Sequence, residues 1–269
     1  MRGRLHVDLA ALASNYRLFS SAAEAAGGSA GGVVKANAYG LGLAEVAATL
    51  HAEGCNEFFV ATVEEGVALR ASLPENTVYV FEGATGATAQ TLAAHDLVPV
   101  LNHPGQLEAW RAHRDHPAAL HVDTGLNRLG FPADVDAGQF AGMNLRLLVT
   151  HLACADRPDD PMNDRQVERF RRVADAFPGL RTSIGNSAGM LADASRCGEL
   201  GRPGVGLYGG NPFSDRANPM RRVAVLEAPV LQVRECPAGS PLGYGASYVA
   251  PTDLRVAVVG LGYADGLPR

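Results

Sequence analysis

Lysine occurs once in this chain, at position 35, among 23 basic side chains of which 22 are arginine. On a solvated surface the two cations exchange readily, so a sequence this biased toward arginine keeps lysine where arginine fails. Arginine cannot act as an amine nucleophile, because its guanidinium stays protonated at any working pH. A desolvated lysine can lose its proton and condense with an aldehyde to a Schiff base. The preceding Gly31-Gly32-Val33-Val34 run gives a charged amine at Lys35 no evident structural task. Other polar residues punctuate the ends of apolar runs: His121, Asp123 and Arg128, then His151, Asn186-Ser187, and Arg202. Taken singly they are bland. A His on an apolar strand is more often packed than reactive, Ser and Gly in loops mean turns, and Tyr-Gly at Tyr244 reads as a turn with a half-buried aromatic.

The elements that must position these residues alternate. Apolar runs rich in Val, Leu and aromatics occupy Gly32–Ala36, Glu57–Thr62, Thr77–Glu82, Leu97–Asn102, Ala118–Asp123, Leu145–Leu152, Leu180–Gly185 and Gly204–Tyr208. Amphipathic helical patterns such as Leu43–Glu53 and Asn163–Phe177 lie between them. Strands alternating with helices at intervals of roughly 20 to 35 residues predict βα units and a parallel sheet. Eight units over this span fit a (β/α)8 TIM-type barrel better than an open sheet, and Lys35 then sits at the end of the first strand, facing the active-site side. After the breakers Asn211-Pro212 and Asn218-Pro219 the pattern changes to strands without helices, predicting an α/β barrel over about 5–219 and a partial all-β domain over 220–269, with which a strand near 1–7 pairs.

These motifs carry a family resemblance. Lys35-Ala36-Asn37-Ala38-Tyr39-Gly40-Leu41-Gly42 closely resembles the pyridoxal 5′-phosphate (PLP) lysine signature of alanine racemases, and Asp123-Thr124-Gly125-Leu126-Asn127-Arg128-Leu129-Gly130 is similar to their DTG-x-x-RLG segment. Gly262-Tyr263-Ala264-Asp265-Gly266 resembles their GYADG element. The resemblance implies that Lys35 holds the cofactor as a Schiff base. Tyr39 and Ser187, with backbone N–H groups near Gly204 and Val205, then hold its phosphate end, and Asn186 also binds the cofactor. Arg202 donates to the pyridine nitrogen, with His151 supporting it. An arginine does not surrender its proton to the ring, which leaves the ring a weaker electron sink and disfavours transamination. Arg128 serves the cofactor's phenolic oxygen and the substrate carboxylate, and Tyr263 lines the substrate entrance. Tyr244, from the partner subunit of a homodimer, is the second catalytic base on the face opposite Lys35. Many relatives carry a carbamylated lysine where this chain has His121, so a neutral or cationic imidazole, or a bound anion, must take its place.

The implied function is interconversion of L- and D-alanine by two bases, with serine or a broader substrate range left open. Competing readings are a non-catalytic PLP-binding barrel for cofactor homeostasis, against which the β segment and Tyr244 argue; a barrel PLP decarboxylase, against which Arg202 argues; and a vestigial protein without cofactor. The resemblance runs from about Leu5 to Arg269, and the family normally continues beyond it with a Cys-Met-Asp segment and a late Tyr. A partial β domain, weak dimerisation and low or no racemase activity are therefore expected of the chain as given. A formal net charge of -5 without basic runs excludes nucleic acid and anionic membrane as partners. No run of 18 apolar residues and no signal-peptide pattern occurs, and the four scattered cysteines lack metal spacing, so a cytoplasmic, metal-free protein is expected.

Overall fold

Seven of the apolar runs become parallel strands in a sheet that follows chain order: Gly32–Val33, Glu57–Val60, Thr77–Val80, Leu97–Leu101, Ala118–Asp123, Leu145–Val149 and Arg181–Ser183. In this computed structural model, which describes residues 3–267, they belong to a compact unit spanning Asp8–Val223. Ser29–Ala30 pairs in parallel with Leu200–Gly201, and Asn186 bridges Arg202, so the two ends of the sheet meet. The result is the expected barrel.

Strand alternation fills its interior. Val33, Phe59, Tyr79, Val98, Val100, Ala119, Leu147, Val149 and Leu200 form one buried cluster, with Phe59 stacked on Tyr79 at 4.6 Å. Burying such side chains stabilises the barrel by roughly 1.5–3 kcal/mol each. At the N-terminal end of the strands Glu57 accepts from the Tyr79 hydroxyl at 3.0 Å and pairs with Arg181 at 3.0 Å, which satisfies the polar groups there. The C-terminal end is left for the site.

Helices cover the sheet where capping signals start them. Asp8 caps Leu9–Ala25, accepting from Ala11 N–H at 2.9 Å, and Asp160 caps Pro161–Asp175 with Pro161 in the first turn. Among the described residues no helix is long and apolar enough to cross a membrane.

Two boundaries differ from the sequence expectation. The eighth strand is Leu200–Gly201, and Gly204–Tyr208 forms turns instead. Pro203 lacks an N–H for the ladder, and the N–H groups of Gly204 and Gly206 are drawn to the Ser187 hydroxyl rather than to a neighbouring strand. The first strand ends at Val33, and the residues after Lys35 leave extended backbone altogether.

The second unit comprises the N-terminal segment through Val7 and Ala224 onward. Arg4–Val7 runs antiparallel to Ala224–Glu227, Val230–Cys236 to Leu254–Val259, and Pro241–Leu242 to Tyr248–Val249. In these ribbons Val230, Leu231 and Val249 are more than half exposed.

Candidate active site

Lys35 opens a turn of unusual hand. Ala36, Asn37, Ala38 and Tyr39 all have φ between 53° and 55°, a left-handed helical turn of four residues bearing Cβ atoms. Each such residue costs roughly 1–2 kcal/mol relative to the right-handed form, so the surroundings must hold the turn. The Glu65 carboxylate does so: Oε1 accepts from the N–H of Ala36 and, at 3.4 Å, of Asn37, while Oε2 accepts from Ala61 N–H at 2.8 Å. The Asn37 side chain accepts from Leu43 N–H at 2.8 Å, and Gly40, at φ 85°, ends the turn. The turn brings Tyr39 onto Tyr208, ring centroids 4.5 Å apart, and the Tyr208 hydroxyl donates to Val33 O at 2.9 Å.

Lys35 and Tyr39 line a cavity of about 560 Å³ at the C-terminal ends of the strands. It also takes in Arg128, His151, Asn186, Ser187, Arg202, Gly204, Val205 and His121. The barrel therefore gathers nearly all the residues singled out above from six separate segments. Tyr244 and Tyr263 belong to the other unit, where they are 78% and 67% exposed.

Arg202 is the most constrained cation. It is buried, and its guanidinium donates to the Ser183 hydroxyl, to Thr150 O at 2.6 Å and to His151 Nδ1 at 3.4 Å. Burial pulls its pKa down to about 10, which still leaves it charged at neutral pH. The same guanidinium helps to suppress protonation of His151: burial first, then Arg202 and Arg128, push that imidazole down to about 3. His151 is thus neutral, with Nδ1 accepting from Arg202. Its main chain is fixed by Gln166, which donates to His151 O at 3.0 Å.

His121 is also neutral. Burial, then Arg202, lower its pKa to about 4, and Nδ1 donates to Asn102 Oδ1 at 2.7 Å. Arg128 stands exposed on a loop shaped by Asp123, whose Oδ1 accepts from the N–H groups of Gly125 and Leu126 at 2.8 and 2.9 Å.

The cavity wall at Ser187 can receive an anion. Ser187 Oγ accepts from Gly204 N–H at 2.9 Å and Gly206 N–H at 3.2 Å, so its own proton is left to donate. Gly204 is glycine for a spatial reason: a Cβ there would lie 2.6 Å from the Tyr39 hydroxyl. The cavity lining carries Lys35, Arg128 and Arg202 against the single carboxylate of Asp156, with both imidazoles uncharged. Such a lining attracts a ligand with more than one anionic group. Among the described residues no His, Cys, Asp and Glu side chains gather to hold a metal ion.

Sequence reasoning passed over Glu65, Asn102, Gln106, Thr150 and Ser183. Signals for two of them were present. Thr62-x-x-Glu65 is a capping-box spacing at a helix start, and Thr62 accepts from Glu65 N–H at 3.4 Å. Asn102 is an amide closing an otherwise apolar strand.

Comparison with known proteins adds independent weight. Residues 7–212 match the family model for the alanine racemase N-terminal domain, and residues 223–269 match that for the alanine racemase C-terminal domain. A biosynthetic alanine racemase of Agrobacterium fabrum is 45% identical over 276 residues, covering 99% of this chain and 70% of the relative. The alanine racemase of Rhodospirillum rubrum is 44% identical, covering 98% of this chain and 74% of the relative. Among solved structures, biosynthetic alanine racemase from Pseudomonas aeruginosa superimposes with a TM-score of 0.91 at 33% identity, covering 100% of this chain and 78% of that one. Alanine racemase from Bartonella henselae with covalently bound pyridoxal phosphate gives a TM-score of 0.89 at 32% identity, with the same coverages.

Proposed function

This chain belongs to the alanine racemase family, and on that premise we propose that it interconverts L- and D-alanine with PLP seated in the barrel-mouth cavity. The observation that carries the reading is that the sole lysine lines a cationic cavity that also holds the Ser187 hydroxyl, free to donate to an anion. The residues present fit the cofactor. Lys35 would supply the amine, Tyr39, Asn186, the Ser187 hydroxyl that Gly204 N–H orients, and Val205 N–H would hold the phosphate end, and Arg202 would donate to the ring nitrogen. When bound, PLP supplies an electrophilic carbon for amines and an electron sink that acidifies the Cα proton.

The chain's own groups do the rest. Arg202 is held by Ser183, Thr150 and neutral His151, so it keeps its proton and donates a hydrogen bond without transferring it. Arg128 binds the substrate carboxylate, which fixes the Cα–H bond relative to Lys35. Lys35 handles the proton on one face. Inversion needs a second group on the other face, and we assign that role to Tyr244 of a partner subunit, with Tyr263 at the substrate entrance. The active species is thus a homodimer. A cytoplasmic location accords with the four unpaired cysteines.

The test is reduction with borohydride after addition of PLP, followed by peptide mass mapping, alongside Cα deuterium exchange in alanine. A phosphopyridoxyl mass on Lys35 and appearance of the opposite enantiomer are expected. PLP bound without Cα exchange would mean a carrier rather than a racemase, and a label elsewhere would remove the assignment of Lys35. Running serine beside alanine measures the substrate range.

A further inference from the structure

The helix Pro161–Asp175 turns one amide, Gln166, fully into the protein, beside the loop whose Ala153 and Ala155 line the cavity. A buried amide is costly unless its groups find partners. Gln166 Nε2 donates to His151 O at 3.0 Å and to the Thr124 hydroxyl at 3.2 Å, and its Oε1 accepts from Ala153 N–H at 2.8 Å. The orientation has one solution, because a backbone carbonyl can only accept and a backbone N–H can only donate.

The carbonyl of one residue and the N–H two residues on are the pair that a neighbouring parallel strand would bind. The ladder beside Leu145–Val149 still holds at Thr150, whose N–H donates to Ser183 O at 3.0 Å. Past it, the Gln166 amide takes the place of a strand residue. Two segments of the site depend on it. Thr150 O and His151 Nδ1 are acceptors for Arg202 Nη2, at 2.6 and 3.4 Å. Thr124 opens the loop that leads to Arg128, and its hydroxyl meets that of Thr150 at 2.8 Å. Arg169, one turn along the same helix, donates to Thr124 O at 2.8 Å. We infer that Gln166 is a positioning residue that clasps these two segments together and so sets the placement of Arg202 relative to Arg128. The inference rests on the proposed roles of those arginines, one toward the cofactor ring and the other toward the substrate carboxylate.

Hydrogen exchange of the Gln166 side-chain amide, read by nitrogen NMR in the assigned spectrum of the full chain, should be slow for both Nε2 protons. Ready exchange of either overturns the clasp. The binding counterpart compares Gln166→Leu, which removes all three bonds, with Val173→Ala, which loosens packing on the same helix without touching them. Absorbance titrations of the folded variants give dissociation constants for PLP, and for alanine on the PLP-loaded chain. Each should rise roughly tenfold or more in Gln166→Leu and stay within about twofold of wild type in Val173→Ala. Equal rises in the two variants overturn the positioning role, and so does a rise in only one constant, or in neither, in Gln166→Leu. Should Gln166→Leu not fold, Thr124→Val removes one arm alone, and an unchanged constant for alanine there overturns the coupling. Should Lys35 fail to take PLP, the racemase reading falls, while amide exchange still decides whether the clasp exists.

Discussion

Acid should weaken this barrel through its buried imidazoles, and His121 allows the effect to be sized. The unfolded ring titrates near its ordinary value of 6.5, whereas the folded ring takes a proton only at about 4. Between these values the unfolded chain binds more protons, so stability is intact above about pH 6.5 and declines as the pH falls. The gap is about 2.5 pH units, and at ~1.4 kcal/mol per unit the full loss is about 3 kcal/mol below pH 4. At pH 5 some 1.5 units of it are realised, roughly 2 kcal/mol. Replacing His121 by Gln keeps a donor toward Asn102 and removes the titration. His151, pushed down to about 3, acts in the same direction but is common to both proteins and drops out of the difference. The assay is urea unfolding at pH 7 and pH 5, followed by the fluorescence of Trp110, the sole tryptophan and fully buried in the barrel unit. The wild type should lose about 2 kcal/mol more than His121→Gln between the two conditions. Equal losses in the two proteins would refute a buried, neutral His121.

Two further substitutions probe the walls of the site. Gly204→Ala would place a methyl 2.6 Å from the Tyr39 hydroxyl and displace it, so PLP affinity should fall by roughly tenfold or more while thermal stability changes little; an absorbance titration with PLP measures this. Glu65→Ala strips the acceptor from the N–H groups of Ala36, Asn37 and Ala61, and should lower unfolding free energy by roughly 2–3 kcal/mol and loosen the turn that carries Lys35; urea unfolding and PLP titration read the two effects separately.

The sequence alone determined the class of chemistry and the class of fold, because both are written in local signals. An amine that arginine cannot replace stands at Lys35, and short apolar runs separated by helical periodicity already specify βα units whose strand ends converge. It also placed Ser187 and His151 at strand ends, from which the barrel brings them to one cavity; Arg202, read as entering the eighth strand, joins them because that strand ends at Gly201. What periodicity could not carry was anything decided by partners distant in the chain. The left-handed turn at 36–39 opposes the intrinsic preference of Ala, Asn and Tyr, and it exists because Glu65, on a helix nearly thirty residues on, accepts its N–H groups. The eighth strand moved to Leu200–Gly201 because Ser187 claims the N–H groups that would have extended it. The charge of His121 was open in the sequence to a neutral ring, a cation or an anion site; burial beside Arg202 and the amide pair Asn102–Gln106 decided for the neutral ring. Hydrogen-bond direction and desolvation are properties of neighbours in space, and only the closed barrel makes these residues neighbours.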